Sequence, residues 1–277
     1  MLVAITLLVV ALAAALIYLR IKGIVYAGWT SAGWTVVHDD TVVMGERVRV
    51  LDVNHTYQSA TYLDERWADP VFPYHWLFDH MFDAWPHGDG PQTVAVLGGG
   101  GYAIPKHLVA HHPQIARVDV VEIDPAIERI ARRHFFLDRA QQLGGVRERQ
   151  VLHTHIAEAS AWLAACRRTF DVIVNDCFFG LEPERKLISP SAARLIRAHL
   201  NEGGVYLSNV VSALEGPNSQ MLYHVIDSLG QSFAHVWVYP CGADKPSLLE
   251  NNVVIASDVN HDFKGAWLWP TSQEENQ

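Results

Sequence analysis

From residue 93 to residue 257 the chain alternates short, uninterrupted apolar runs with stretches of helical periodicity. Uninterrupted apolar runs are typical of parallel strands that are buried on both faces, because helices cover both sides of such a sheet. We therefore predict an α/β fold with a doubly wound sheet of seven strands, whose ligand site lies at the carboxyl ends of the first strands. The predicted strands cover residues 93–97, 118–121, 150–152, 170–174, 204–208, 235–239 and 252–256.

Four consecutive glycines directly follow the first of these strands. Gly98 to Gly101 precede a predicted helix, so the backbone can approach a ligand closely and the helix start offers free N–H groups. Glu122 ends the next strand, 24 residues after Gly98, where a carboxylate can accept hydrogen bonds from both hydroxyls of a ribose. The glycines do not match Gly-x-Gly-x-x-Gly, and the spacing to the acid is slightly longer than in dinucleotide folds. These features favour an adenosyl-sulfonium cofactor over a nicotinamide one.

Two further acids follow later strands of the predicted sheet. Glu158 comes just after the third strand, where a carboxylate can face an adenine; the alternative is an acid that stabilises the first turn of a helix. Asp176 ends the fourth strand, from which a side chain reaches the reacting end of a cofactor; the alternative is a turn aspartate. The sequence therefore predicts one nucleoside site with Asp176 at its reactive end.

The amino terminus is apolar from Leu2 to Leu19, which is about the length that spans a bilayer. The first basic residues, Arg20 and Lys22, follow this run, and the positive-inside rule then predicts a cytoplasmic main domain. We expect an uncleaved single-pass membrane anchor over residues 1–22 and a juxtamembrane linker over 23–34. A signal peptide and an apolar helix packed on the domain are the alternatives.

The sequence after the predicted linker is divided into a small β unit, an α/β domain and a polar tail. Short β-rich segments predict a small β unit over residues 35–72, with strands at 35–37, 41–44 and 48–53. A helix with one apolar face is predicted over 73–85 and opens the α/β domain of residues 73–258. The polar residues 259–277 predict a loose tail.

Composition and residue spacing exclude several classes of site. The formal net charge of −9 argues against a nucleic-acid partner. Cys166, Cys177 and Cys241 form no Cys-x-x-Cys pair, which argues against a cysteine metal site or a disulfide framework. His153 and His155 lack ligand partners at metal-binding spacing, and the histidines of residues 107–112 suit a helix end. We therefore predict no metal.

The order of these motifs resembles the spermidine synthase (polyamine aminopropyltransferase) family. The resemblance rests on Leu-Gly-Gly-Gly, Val-Glu-Ile-Asp, Glu-Ala-x-x-Trp-Leu and Asp-Val-Ile-Val-Asn-Asp, and runs from about Val48 to Ser257. It implies a Rossmann-like sheet of the S-adenosylmethionine-dependent methyltransferase type, with decarboxylated S-adenosylmethionine or S-adenosylmethionine as donor. It also implies that Asp176 is catalytic and that Tyr74, His75 and Phe179 line the amine pocket. The implied cofactor-binding residues are Gln58, Gly98, Gly99, Gly100, Gly101, Glu122, Ile123, Asp124, Glu158 and Ala159.

Three acids of the family pattern are replaced in this chain, by Gly101, Phe179 and Trp76. Carboxylates position a polycationic acceptor and accept its proton, so their loss makes a diamine pocket less favourable unless Asp176, Glu182 or Glu184 compensates. Aminopropyl transfer to an amine is the expected activity. Methyl transfer on the same fold and a non-catalytic nucleoside-binding membrane protein are the alternatives. The resemblance also implies a homodimer.

Overall fold

The computed structural model describes residues 5, 6, 9, 10, 14 and 23–269, except 42–44, 87, 89, 144–149, 180 and 181. Most of the predicted anchor over residues 1–22 lies outside these residues, and the prediction is not tested. Among the described residues, no helix has the length and apolar character that a membrane span requires.

The first sheet is antiparallel and has four strands in the order β1-β2-β3-β4. The prediction of a linker over residues 23–34 is wrong, because β1 occupies most of it and pairs with β2. Alternate side chains explain the strand: Tyr26 packs against the core, while Val25 and Trp29 face solvent. Thr41 lies in a bend, and the rest of the predicted strand at 41–44 lies outside the described residues. The strands are β1 (Ile24–Thr30), β2 (Gly33–Asp40), β3 (Val48–Val53) and β4 (Thr56–Tyr62).

The second sheet confirms the predicted α/β fold and corrects its strand number from seven to eight. Five parallel strands are followed by three antiparallel ones, in the order β7-β6-β5-β8-β11-β13-β12-β14. The eighth strand, β14, lies in the predicted loose tail, where the ring of Trp269 contacts Tyr223. The strands are β5 (Thr93–Leu97), β6 (Arg117–Glu122), β7 (Leu152–Ile156), β8 (Phe170–Asn175), β11 (Leu200–Ser212), β12 (His235–Pro240), β13 (Glu250–Ser257) and β14 (Trp267–Trp269).

The remaining elements connect these strands. A short ribbon of β9 (Phe178–Phe179) and β10 (Glu182–Pro183) follows β8. The predicted helix over 73–85 is an α-helical turn that continues as a 3-10 helix, Phe78–Ala84. Two further 3-10 turns cover Arg185–Leu187 and Pro217–Ser219. The α-helices are α1 (Pro73–Leu77), α2 (Ala103–His111), α3 (Pro125–His134), α4 (Leu137–Leu143), α5 (Ala159–Ala165), α6 (Pro190–Ala198) and α7 (Gln220–Gly230).

The large sheet separates two apolar cores. In β5, Val94 and Val96 face one core, whereas Ala95 and Leu97 face the other. This alternation explains why the strand is apolar throughout, since neither face meets water. Val37 and Leu51 of the small sheet belong to the first of these cores, so the two sheets pack as one body. A cavity lies where they meet.

Candidate active site

The cavity has a volume of about 730 Å³, within the range typical of small-molecule sites. One wall comes from β3, β4 and the start of α1. The opposite wall comes from the loops at the carboxyl ends of β5, β6, β7 and β8, together with residues of β11 and β13. The predicted ligand edge of the parallel sheet is therefore the edge that borders the cavity.

The glycine loop after β5 forms the floor of the cavity through Gly98, Gly99 and Gly100. Gly98 has φ +95°, and a Cβ there would lie 2.5 Å from the carbonyl oxygen of Asp176. Only glycine is compatible with this backbone and this contact. The loop thus brings the main chain of β5 directly against the chain that carries Asp176.

Glu122 is buried behind the loop and binds it. Its Oε2 accepts hydrogen bonds from the N–H groups of Gly99 and Gly100 at 3.1 and 2.9 Å, and its Oε1 accepts one from Asp124 N–H at 2.9 Å. Burial raises the pKa of the Glu122 carboxyl, and these backbone donors oppose the rise. Ile123, which follows it, also lines the cavity and is 63% exposed. Glu122 therefore sets the shape of the loop and borders the cavity.

Gly101 and Asp124 are not among the residues that line the cavity, and their predicted contact with the cofactor stays a prediction. Gly101 is buried below the loop, where a Cβ would lie 2.5 Å from Ser59 Oγ. Asp124 caps α3 by accepting from Ala126 N–H at 2.8 Å, and its other oxygen accepts from Ala32 N–H at 3.2 Å. Asp124 therefore fastens the β1–β2 hairpin to the α/β domain.

Glu158 and Ala159 line the cavity at the start of α5. The Glu158 carboxylate accepts hydrogen bonds from the N–H groups of Ser160 and Ala161 and from Ser160 Oγ, so it caps α5 while it also lines the cavity. Burial alone would raise the pKa of this carboxyl, but these donors outweigh it and lower the pKa. Glu158 is thus held as a carboxylate at the cavity wall.

Asp176 stands at the centre of a polar cluster that two predicted residues join. Its Oδ2 lies 3.4 Å from both Tyr74 Oη and His75 Nε2, and its Oδ1 accepts from Asn209 Nδ2 at 3.0 Å. Asp176 keeps 15% of its side chain exposed towards the cavity, whereas His75 is 3% exposed. The structure therefore brings Tyr74, His75 and Asp176 together, although more than 100 residues separate the first two from the third.

Tyr74 serves the cluster as a hydrogen-bond donor. Burial, and then the negative charge of Asp176, hold the pKa of its hydroxyl well above the usual value. The phenol thus stays protonated at neutral pH and donates to the carboxylate. His75 Nδ1 and Asn209 Oδ1 are buried without hydrogen-bond partners among the described residues, so the cluster has further capacity to bind polar groups.

Two predicted pocket residues, Gln58 and Phe179, and the replaced family position Trp76 remain to be placed. Gln58 lines the cavity from β4. The side chain of Phe179 lies outside the part of the chain that the structure describes. Trp76 does not line the cavity; it is 45% exposed, and its indole N–H donates to Pro70 O at 3.0 Å. The replacement at Trp76 therefore adds no aromatic wall to the pocket.

Sequence reasoning missed Asn209, Cys241 and Glu250, which also line the cavity. One signal was available, because Asn209 interrupts the apolar run of β11 with a buried amide. A polar residue at such a position is costly unless its partners are fixed. Cys241 and Glu250 reach the cavity because β12 and β13 pair as a hairpin. The sequence pattern does not predict where this hairpin lies relative to the cavity.

The described wall of the cavity carries five carboxylates and no lysine or arginine. The carboxylates are Glu122, Glu158, Asp176, Glu184 and Glu250. Burial, followed by the charges of Glu122 and Asp176, raises the pKa of the Cys177 thiol well above its usual value, so this cysteine is a poor nucleophile. The net negative wall favours a cationic ligand.

Two curated proteins are similar in sequence to part of this chain. A polyamine aminopropyltransferase from Aeropyrum pernix is 26% identical over 198 residues, which cover 66% of this chain and 61% of that protein. One from Prochlorococcus marinus is 29% identical over 177 residues, which cover 62% of this chain and 58% of that protein. The chain therefore spans less than two thirds of the length of these curated relatives.

The fold is similar to that of a solved structure, a probable spermidine synthase from Corynebacterium glutamicum. The two align with a TM-score of 0.69 at 17% identity, over 91% of this chain and 92% of that chain. The sequence model of the spermine/spermidine synthase domain matches residues 72–263, which is well over half of the chain and includes Asp176, Glu122 and the glycine loop. The chain belongs to the spermine/spermidine synthase family.

Proposed function

We propose that this protein transfers the aminopropyl group of decarboxylated S-adenosylmethionine to an amine. The observation that carries the proposal is that the described residues of the cavity wall include five carboxylates and no lysine or arginine, and that Asp176 is held by Tyr74, His75 and Asn209. Both reactants are cationic, since the donor carries a sulfonium and an ammonium group and the acceptor is an amine. Family membership and the names of the relatives support the same reaction.

The chemistry needs an unprotonated amine aligned with one carbon atom. The amine nitrogen attacks the carbon next to the sulfonium, a C–N bond forms, and the C–S bond breaks with its electron pair moving to sulfur. Methylthioadenosine leaves as a neutral thioether, and the amine loses one proton. In the proposed mechanism Asp176 orients the amine and accepts that proton, while Tyr74 and His75 hold the carboxylate in place.

The proposed donor site follows the loops at the sheet edge. Glu122 holds the ribose, Glu158 faces the adenine, and Gly98 to Gly100 border the sulfonium end. Gln58 and Ala159 complete the wall. These roles combine the family resemblance with the position of each residue on the cavity surface.

The described wall also bears on methyl transfer from S-adenosylmethionine. That donor keeps a carboxylate, and the wall offers no cationic side chain to pair with it. The absence of the family acid at Gly101 favours S-adenosylmethionine, because no negative charge at this position repels the carboxylate of that donor. An acidic side chain at position 101 would clash with Ser59, since even its Cβ would lie 2.5 Å from Ser59 Oγ. The charge of the wall therefore favours the decarboxylated donor.

The test is mass spectrometry of the by-product after the full chain is incubated with each donor and a panel of amines. Amine-dependent methylthioadenosine is the expected product. S-adenosylhomocysteine would instead indicate methyl transfer. Nucleoside binding without either product would contradict the proposed activity and favour a non-catalytic role.

The acceptor end of the proposed site gives a second prediction. Glu250 lines the cavity on the side of Asn209 and Cys241, at a distance along the chain from every family motif. We expect Glu250→Gln to raise the KM for a diamine by about threefold to fivefold, the size of one exposed ion pair, and to leave the KM for a monoamine unchanged. Steady-state kinetics with both amines measure this, and Glu215→Gln, an exposed site outside the cavity, is the control. Equal changes for both amines would contradict a role in recognising the second amino group.

The ribose role of Glu122 gives a third prediction. Glu122→Gln keeps the shape of the side chain but removes the charge, and we expect methylthioadenosine to bind about tenfold more weakly, because hydrogen bonds to charged groups are the stronger ones. Isothermal titration calorimetry measures the affinity. Unchanged affinity, with Glu215→Gln as the matched control, would remove Glu122 from the nucleoside site.

We also propose attachment to the membrane through residues 1–22, with the main domain on the cytoplasmic side, and association of two copies. The apolar run and the basic residues that follow it support the first proposal, and the family resemblance supports the second. Protease protection in vesicles tests the orientation. Light scattering of the purified protein tests the dimer.

A further inference from the structure

A cluster of histidines and aspartates lies on α2 and the segments packed against it, outside the cavity described above. The sequence predicted helix-end histidines here and no metal. The structure adds two aspartates from other segments, Asp69 between β4 and α1 and Asp79 in the 3-10 helix. Three segments of the chain therefore meet at His107, His111 and His112.

His107 and His111 lie one helical turn apart on α2, which places both imidazoles on the same face of a rigid helix. Asp69 Oδ1 lies 2.8 Å from His111 Nε2. One ligand atom from each of Asp69, His107 and His111 lies within 4.8 Å of the other two. Three nitrogen and oxygen atoms this close can share one cation, since metal–ligand bonds of about 2.1 Å place ligand atoms roughly 3 to 4 Å apart.

His107 provides a second, independent observation. It is 5% exposed, and its Nδ1 is buried without a hydrogen-bond partner in the part of the chain that the structure describes. Its Nε2 lies 3.1 Å from both oxygens of Asp79, and the ring of Trp76 packs against it at 5.2 Å. The ring is thus held by a carboxylate and an aromatic neighbour while one nitrogen has no partner, as metal-binding histidines are held by outer carboxylates.

We propose that His107, His111 and Asp69 bind one divalent transition-metal ion, with Asp79 orienting His107. Two imidazoles and one carboxylate favour Zn²⁺, Co²⁺ or Ni²⁺ over Ca²⁺ and Mg²⁺, which prefer oxygen ligands. His111 is partly exposed, with 45% of its side chain accessible, so the ion has a path from solvent and a place for water as a further ligand.

The position of the site indicates a structural role. The ion would tie the segment after β4 to α2, and through Asp79 it would fix the 3-10 helix that directly continues α1. Tyr74 and His75 lie on α1, and Ile104 and Pro105 of α2 line the cavity. The metal would therefore stiffen the wall of the cavity without entering it, and metal binding does not depend on the proposed reaction.

The experiment titrates the full chain, after treatment with EDTA and dialysis, with ZnCl₂ in a calorimeter and with CoCl₂ in a spectrophotometer. We expect one saturable site for Zn²⁺, at least about tenfold weaker in His111→Ala and in Asp69→Asn, and unchanged in His224→Ala, an exposed histidine on α7. At a Zn²⁺ concentration of about 100 times the Kd, the Tm should rise on the order of 5 °C in the wild type.

Cobalt separates this site from the cysteines. The proposed ligands give visible d–d bands without the near-ultraviolet thiolate-to-cobalt charge-transfer band, whereas binding at Cys166 or Cys241 would produce that band. His111→Ala changes a partly exposed side chain, so the variant is expected to keep the wild-type Tm in EDTA. No saturable binding, a thiolate band, or equal affinity in wild type, His111→Ala and Asp69→Asn would each overturn the proposal.

Discussion

Asp176→Asn is expected to reduce kcat for aminopropyl transfer by about 10²-fold to 10⁴-fold, while methylthioadenosine binds within a few-fold of its normal affinity. The size follows from the usual contribution of a positioned acid or base to proton transfer. The substitution preserves the shape of the side chain but removes the negative charge that orients the amine and accepts its proton. The amide can still accept from Asn209, so the fold should be retained.

The geometry around Asp176 explains why this effect should exceed those of its neighbours. Tyr74 and His75 lie 3.4 Å from Oδ2, so they act on the amine through the carboxylate. Tyr74→Phe removes one donor and is expected to lower kcat by about tenfold, which is the cost of one hydrogen bond to a charged group. A larger loss of kcat in Asp176→Asn than in Tyr74→Phe would identify Asp176 as the group that contacts the amine and Tyr74 as a residue that positions Asp176.

Single-turnover kinetics and nucleoside titration measure the two quantities separately. Asp227→Asn, an exposed position on α7, controls for the loss of one negative charge. If Asp176→Asn retained normal turnover, Asp176 would have no part in proton transfer. If the variant instead lost nucleoside affinity together with turnover, Asp176 would belong to the donor site.

The parallel strands could be predicted because each one is encoded by the apolar residues of its own segment. Strands buried on both faces need mostly apolar side chains; β5 is apolar after its first residue, and β6 and β8 each carry one aspartate among their apolar residues. The glycine loop and Glu122 could be predicted for the same reason, since both lie next to the end of a strand. Their meeting at one edge follows from the handedness of the crossovers.

Elements that are stabilised by residues in other segments of the chain could not be predicted from their own sequence. β1 has an alternating pattern that also suits a juxtamembrane segment, and only its pairing with β2 identifies it as a strand. β14 is three residues long and gains its stability from β12. Asn209 and Glu250 join the cavity through long-range strand pairing, and Ser59 of the small sheet lies where a side chain at position 101 would be. Tertiary contacts decide each of these positions.

Lys106 is a buried cation that the sequence does not distinguish from an exposed helix lysine. It is 1% exposed, and its Nζ donates to Thr61 Oγ1 at 3.1 Å, which in turn donates to Trp67 O at 2.9 Å. Burial lowers the pKa of this amine from 10.5 to about 7. Because α2 also carries Ile104 and Pro105 of the cavity wall, the protonation of Lys106 bears on the stability of the site.

The sign of the effect follows from linkage. Between pH 7 and about pH 10 the unfolded chain keeps the Lys106 proton while the folded chain has lost it, so the free energy of unfolding that Lys106 contributes rises with pH. At 1.36 kcal/mol per pKa unit, the buried ammonium destabilises the fold by on the order of 5 kcal/mol below pH 7, and this destabilisation disappears as pH approaches 10.5.

Lys106→Met is therefore expected to stabilise the protein by several kcal/mol, on the order of 4, at pH 6, because it keeps the apolar stem and removes the charge. The difference in unfolding free energy between variant and wild type should narrow by about 1.4 kcal/mol for each pH unit above 7. Urea denaturation at pH 6, 7, 8 and 9 measures the difference, and Lys264→Met, an exposed position, should show none. A difference in unfolding free energy that stays constant from pH 6 to pH 9 would mean that Lys106 remains charged in the folded protein. Groups in addition to Thr61 would then have to solvate its ammonium group.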